Sequence, residues 1–407
     1  MLAPYLKTLV KTGRLTVQVP GQAPMVFGED NPPPGLDVEM TLKSPATALW
    51  LGMNPELHFG EAYMNGDLTV TRGDLWALME LIGRNLPNRG PMKPLNAWLK
   101  RRREALATRN TAKTARSHVA HHYDLSETLY RSFLDEDLQY SCAYFSDPGM
   151  SLEEAQLAKK LHLISKLDLR SGQTVLDIGC GWGGLALEIA RRADVHVTGI
   201  TLSQEQLAVA RMRARAEGLS DRVKFELIDY RQFADLSSQP RFDRVISVGM
   251  FEHVGPPQYI TYFSTIKKLL TEDGVAVVHT IGHEGSGGGS NQWLDKYIFP
   301  GGYIPSLSQI TGSVEGSQLW VTDIEILRQH YAETLRHWRK RFTASRDKMA
   351  ELYDERFCRM WEFYLALCEL GFRFATLVVV QVQLTQKIDV LPITRDYMHD
   401  EEVVLGQ

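Results

Sequence analysis

Residues 174–184 read TVLDIGCGWGG, and their types and spacing suit ligand binding. Residues 174–178 are a short apolar run of the kind that forms a buried strand. The run breaks into Gly179, Gly181, Gly183 and Gly184, then resumes with helical spacing as LALEIARR. A strand, a glycine turn and a helix start form a cradle: glycine lets the backbone approach a ligand closely, and the helix N-terminus favours negative charge. The same glycines spell G-x-G-x-x-G, so a dinucleotide is the first rival ligand. That site calls for an acidic residue about 20 positions on. Here the next strand, 195–200, ends in Thr201, Leu202 and Ser203. Asp177, just ahead of the first glycine, would repel a pyrophosphate but suits an ammonium or sulfonium group. S-adenosylmethionine carries both, and a carboxylate for the helix end.

The elements that must hold this cradle are set by the rest of the chain. Its 407 residues suffice for two or three domains, and 44% hydrophobic with 23% charged residues is an ordinary globular composition. A net charge of −4 gives no global basic field, so no nucleic-acid partner is expected. Cys142, Cys180, Cys358 and Cys368 show no C-x-x-C spacing and no secretory context, which fits a reducing cytoplasm. The N-terminal stretch lacks a signal peptide's apolar core, and no run reaches the roughly 20 apolar residues of a membrane span. Any membrane contact is therefore expected to be peripheral.

Residues 1–90 read as a small α+β domain. Strands are expected at 15–19 and 38–42, and Leu75, Leu78, Met79 and Ile82 follow helical spacing behind a capping pattern at Thr71 and Asp74. Residues 91–116 form a basic linker, in which Lys93, Lys100, Arg101, Arg102, Arg103, Arg109, Lys113 and Arg116 stand against one acid, Glu104. It reads as a solvated linker helix or as a patch for an anionic membrane surface, with Trp98 and Leu99 beside the charges; nucleic acid is a third option, weakened by the absence of any recognised motif. No Cys or carboxylate completes a plausible metal-ligand set with His118, His121 and His122, so packing and hydrogen bonding are expected of them and no metal. From 151 onward strands and helices alternate. Strands fall at 223–228, 242–248, 274–279 and 377–384. A helix over 203–217 carries Ser203 and Gln206 at capping-box spacing, and Gly218 stops it. Pro256 and Pro257 open a further helix, and 338–372 supplies helices rich in aromatics. The alternation implies a parallel α/β sheet with ligands at the strands' C-terminal ends. The glycine tract 282–292 and the aromatic stretch after it read as a mobile loop and a packed lid, an insertion over 282–305.

With these pieces placed, the chain resembles the cyclopropane-fatty-acyl-phospholipid synthase and mycolic acid cyclopropane synthase family. The runs that carry the resemblance are HHYDLS (121–126), YSCAYF (140–145), LDIGCGWGG (176–184), GITLSQEQ (199–206), GMFEHVG (249–255), VVHTIG (277–282), YIFPGG (297–302) and HYAETLRHW (330–338). In residues 1–90 only GEAYMNGDLTV (60–70) is suggestive of the family's lipid-associated N-terminal domain. The tract GSGGGS departs from any fixed family pattern.

The resemblance implies an α/β class I methyltransferase domain over 117–407, with a Rossmann-like seven-stranded sheet. It implies S-adenosylmethionine as cofactor, held by Tyr123, Tyr140, Ser141, Gly179, Gly181, Thr201, Gln206, Asp229, Tyr230 and Gly249. It also implies a bicarbonate held by Cys142, Glu252, His279, Tyr331 and the backbone of Ile281, with those four side chains as the catalytic set. The chemistry accords with a fixed base: methyl transfer to an alkene leaves a carbocation, and ring closure removes a proton from the transferred methyl group. Aromatic faces such as Tyr144 and Phe145 could stabilise the cation. The expected reaction is methylene transfer to the cis double bond of unsaturated phospholipid acyl chains. It would occur at the inner face of the membrane, in a protein that the family suggests is a homodimer. The rivals are a lipid C-methyltransferase giving a methyl-branched or methylene chain, a non-lipid methyltransferase, and a catalytically silent lipid-binding protein.

Overall fold

The computed structural model describes residues 2–86, 126–236, 240–285, 287–289 and 291–406. The basic linker, His118, His121, His122 and Tyr123 lie outside them. The chain divides into two compact units. The first gathers the described residues of 1–102, 290–300 and 332–377; the second gathers those of 103–289, 301–331 and 378–407.

The first unit is built on strands β1 (Arg14–Gln18), β2 (Met25–Gly28), β3 (Asp37–Leu42) and β4 (Leu68–Arg72), in the order β2-β1-β3-β4. In β3 the pleat sends Val38, Met40 and Leu42 into the core and leaves Asp37, Glu39 and Thr41 at its edge. The helix Leu75–Asn85 closes over that core with Leu78 and Leu81. Its cap is Asp74 alone, which accepts from Ala77 N–H at 2.7 Å; Thr71 belongs to β4. The helices Gln292–Tyr297 and Glu355–Phe374 pack on the helix Pro55–Met64. Gly60 permits this approach: a Cβ there would stand 2.6 Å from the buried Trp293 ring and 2.7 Å from Phe363. The division thus departs from an unbroken domain 117–407, because 291–300 and 332–377 join the N-terminal stretch. It also cuts the expected lid 282–305, since Gly288–Gly289 pair with Tyr303–Ile304 in the second unit.

The second unit holds β5 (Thr174–Ile178), β6 (His196–Thr201), β7 (Val223–Leu227), β8 (Phe242–Val248) and β9 (Leu270–His283). It also holds the hairpin strands β10 and β11 just named, β12 (Trp320–Leu327) and all but the first residue of β13 (Leu377–Thr385). Seven of them form one sheet, in the order β12-β13-β9-β8-β5-β6-β7, parallel from β9 through β7. Successive residues face opposite layers. Leu176, Ile178 and Val278 pack against Tyr262 and Phe263 of the helix Tyr259–Leu269, while Val175, Val197 and Val277 pack against Ile189 and Ala210. The elements not anticipated from sequence include the helix Leu152–Ser165, which carries a full capping box at Ser151 and Glu154, the helix Leu307–Ser317, the strand β12, and the helix Asp396–Gly406.

Candidate active site

A cleft opens at the C-terminal ends of β5, β6 and β8. It is lined by Tyr140, Ser141, Gly179, Gly181, Thr201, Gln206, Asp229, Tyr230 and Gly249, all of them expected at the cofactor. Tyr123, the remaining member of that set, lies outside the described residues. The glycine turn is shaped by contacts on both sides. Gly179 and Cys180 donate their N–H groups to Ile200 O at 2.9 and 3.1 Å, which ties the turn to β6. Gly183 starts the helix Gly184–Arg192 with φ +83°, and a Cβ there would meet the Phe225 ring at 2.7 Å. Gly181, at φ +54°, faces open space, so its missing side chain is what keeps the cleft clear.

The polar groups of the cleft are held in place. Ser203 caps the next helix by accepting from Gln206 N–H, and Thr201 Oγ1 donates to Gln206 Oε1 at 3.1 Å. Both oxygens of Asp229 accept from the Arg231 guanidinium, at 2.9 and 2.8 Å, so this carboxylate is oriented by its neighbour two residues on. Asp177 is buried, and burial pushes its carboxyl up to about 7 against the pull of the Lys159 charge. Its Oδ2 has no hydrogen-bond partner. A lining carboxylate with a bare oxygen is suited to a cationic ligand group. Lys159 is itself fully buried, which lowers its pKa to about 8, and its Nζ donates to Gln139 Oε1 at 2.6 Å and Ser141 Oγ at 2.8 Å. Sequence reasoning missed Lys159, because a lysine in the run QLAKKLHL carries no sign that it faces inward.

The expected catalytic residues do not line the cleft; three of them back onto it. Cys142 follows Ser141, is fully buried, and donates its thiol to Ala143 O at 3.3 Å. Glu252 stands in the turn Phe251–His253, between the lining residues Met250 and His253. Its Oε1 accepts from Ile281 N–H at 2.6 Å, and its Oε2 is buried without a partner. Burial raises this carboxyl to about 7, with the Ile281 bond opposing the rise. His279 O accepts from the N–H of Gly249, which lines the cleft, at 2.9 Å. The ring of His279 is buried, which lowers its pKa well below the ordinary range and keeps it neutral. Tyr331 is partly exposed in the first turn of the helix His330–Ala344. The neighbouring His330 accepts from Phe145 N–H at 3.0 Å, next to the Tyr140–Ala143 stretch. Tyr144 does not stand free for a cation: its ring stacks in parallel with His162 at 4.1 Å and His330 at 5.0 Å.

The donor set suits a bicarbonate in most respects. Neutral His279 offers one ring N–H, and Glu252 Oε2 offers a desolvated acceptor for a hydroxyl. Ile281 differs, since its N–H is already engaged by Glu252 Oε1. Among the described residues no cluster of three His, Cys, Asp or Glu side chains has metal-ligand geometry.

A mostly parallel seven-stranded sheet with a glycine-lined cleft at its strand ends defines a class I S-adenosylmethionine-dependent methyltransferase. Mycolic acid cyclopropane synthase CmaA1, in complex with SAH and CTAB, is similar at 33% identity and a TM-score of 0.62, over 66% of this chain and 97% of that one. The chain belongs to the mycolic acid cyclopropane synthetase family, whose profile matches residues 110–382. It is 39% identical to the cyclopropane-fatty-acyl-phospholipid synthase of Escherichia coli K12, over 82% of this chain and 84% of the relative. It is also 39% identical to the tuberculostearic acid methyltransferase UfaA1 of Mycobacterium tuberculosis, over 83% and 80%. A probable fatty acid methyltransferase of Pseudomonas putida is 44% identical over 62% of this chain and 65% of its own length, so the match spans just under two thirds of that relative.

Proposed function

We propose that this enzyme transfers a methylene group from S-adenosylmethionine to the cis double bond of an unsaturated phospholipid acyl chain, making a cyclopropane ring. The observation that carries the reading is the placement of Glu252 and His279, buried and hydrogen-bonded, directly behind a cleft suited to the cofactor. Family membership supports the same reaction.

The cofactor, when bound, supplies an electrophilic methyl group; bicarbonate, when bound, supplies a base. What remains falls to the chain's own residues. Transfer of that methyl group to the alkene would release S-adenosylhomocysteine and leave positive charge on the acyl chain, and ring closure would then give up one proton of the transferred methyl. Asp177, whose Oδ2 has no partner, would face the cationic end of the cofactor. Lys159 holds Ser141 and Gln139 in position along the cleft. Glu252 would accept a hydrogen bond from a hydroxyl at Oε2, while the N–H of Ile281 anchors its Oε1. His279 donates from its one ring N–H, Cys142 and Tyr331 complete the set, and the burial of Cys142 and His279 keeps water out.

The acyl chain lies in a bilayer, and we place the enzyme at the membrane's inner face. It would dock through the basic stretch 93–116, which the charge pattern supports, and act as a homodimer, which the family resemblance supports. A second reading, a methyl-branched product from the same cation, draws on the equally similar tuberculostearic acid methyltransferase. Incubation with trideuteromethyl-labelled cofactor and cis-unsaturated phospholipid vesicles, followed by mass spectrometry of the chains, decides between them. A cyclopropane or a methylene chain has lost one deuterium of the transferred methyl, and ozonolysis, which cleaves only the alkene, tells those two apart, whereas a methyl-branched alkene formed by proton loss from the chain keeps all three. No label in lipid, with transfer to RNA or an amine instead, would refute both readings.

A further inference from the structure

β13 reads LVVVQVQLT, and in its second half Val380, Val382 and Leu384 alternate with Gln381 and Gln383. Val380, Val382 and Leu384 point into one hydrophobic core. The glutamines point the other way, and Gln381 is only 1% exposed. A fully buried amide among β-branched residues needs partners for both its oxygen and its nitrogen. Gln381 Oε1 accepts from Lys166 Nζ at 2.6 Å, and Gln381 Nε2 lies 3.2 Å from His279 Nδ1.

We propose that Gln381 is a positioning residue of the active site, clamped by Lys166 so that it imposes on His279 the tautomer with its proton on Nε2. The deduction runs through donors and acceptors alone. A lysine ammonium only donates, so the amide atom facing Lys166 is the oxygen. The other end of the amide is then NH2, which also only donates. Nδ1 of His279 must therefore accept and carries no proton. A neutral imidazole keeps its single proton on the other nitrogen, and which nitrogen holds it is set by the partner of its twin. Lys166 is in turn ion-paired with Glu325, which faces Gln381 across the β12–β13 pair and accepts from His162 Nε2 at 2.7 Å. His162 Nδ1 lies 3.2 Å from Glu402 in the helix Asp396–Gly406. The clamp is thus the inner end of a polar chain reaching to the C-terminal helix. The proposal rests on the reading that His279 serves the reaction as a hydrogen-bond donor.

The test is ring 15N NMR of histidine-labelled protein, with His279 assigned by its loss in His279→Asn. The wild type is expected to show the Nε2–H tautomer, unchanged across about pH 5 to 8, the interval in which a free histidine titrates. In Gln381→Glu the replacement carboxylate has no N–H to give. It accepts from Nδ1 instead, so the proton moves to Nδ1. Turnover should then fall about 10²-fold, the scale of losing one positioned donor, while cofactor binding stays within a few-fold. Lys166→Met, which frees the amide to turn over, should give a mixture of tautomers. An Nδ1–H signal in the wild type would overturn the proposal without any variant needing to fold, and so would an unchanged tautomer in folded Gln381→Glu. Full turnover by His279→Asn would instead remove the reading of His279 as a donor in the reaction, and the tautomer result would still decide the role of Gln381.

Discussion

Glu252→Gln separates what the carboxylate does for chemistry from what it does to stability. The carboxyl's ordinary value is 4.5, and burial raises it to about 7 in the folded protein. The folded state therefore holds a proton that the unfolded state has released between those two values, and stability falls as pH rises through that window. The gap corresponds to roughly 3 to 3.5 kcal/mol lost by the folded state, absent below pH 4.5 and complete above pH 7. Glutamine keeps an oxygen for Ile281 N–H and removes the desolvated charge. The variant should therefore melt close to the wild type at pH 5 and a few degrees above it at pH 8. Turnover should fall by about 10²-fold or more, because the acceptor at Oε2 has become a donor. Cofactor affinity should stay within a few-fold. Scanning calorimetry at the two pH values, titration calorimetry with S-adenosylmethionine, and the lipid-product assay read the three effects separately. A melting difference that ignores pH would refute the desolvated carboxylate. An equal loss of cofactor binding would place Glu252 in the cofactor pocket and not behind it.

Tyr331→Phe should lower turnover by about 10²-fold in the product assay with cofactor binding preserved, the pattern of a lost donor in the reaction step. Gly181→Val, at φ +54° with its Cβ directed into open cleft, should abolish cofactor binding in titration calorimetry while circular dichroism shows a folded protein. Gly60→Val would drive a side chain to 2.6 Å from Trp293 and should destabilise the first unit by about 1–3 kcal/mol, read as a lowered melting temperature. Reversing Lys100, Arg101, Arg102 and Arg103 to Glu should weaken cosedimentation with anionic vesicles. Each cation near the surface contributes about 1 kcal/mol, so most of the salt dependence should go with them, while cofactor binding stays intact.

What the sequence determined by itself is local. The run 174–178 is apolar enough to be a buried strand, the glycines after it accept left-handed backbone, and Ser203 with Gln206 marks a helix start. In a parallel α/β sheet the strand ends share one edge, so residues read from separate motifs, such as Gly179, Thr201, Asp229 and Gly249, meet at one cleft without further information. The tertiary structure decided what hangs on partners distant in sequence. Glu252 and Ile281 are 29 residues apart, Gln381 and His279 are 102 apart, and Lys166 and Gln381 are 215 apart. No periodicity encodes such pairings; they arise when β8, β9 and β13 lie side by side and a buried polar group must find its complement there. The same holds for Gly60, whose lack of a side chain matters only once Trp293 and Phe363 close over it, and for Tyr144, whose faces are taken up by two histidines. The charge states of Asp177, Lys159 and Glu252 follow from desolvation, and desolvation is a property of the packed surroundings and not of the residue.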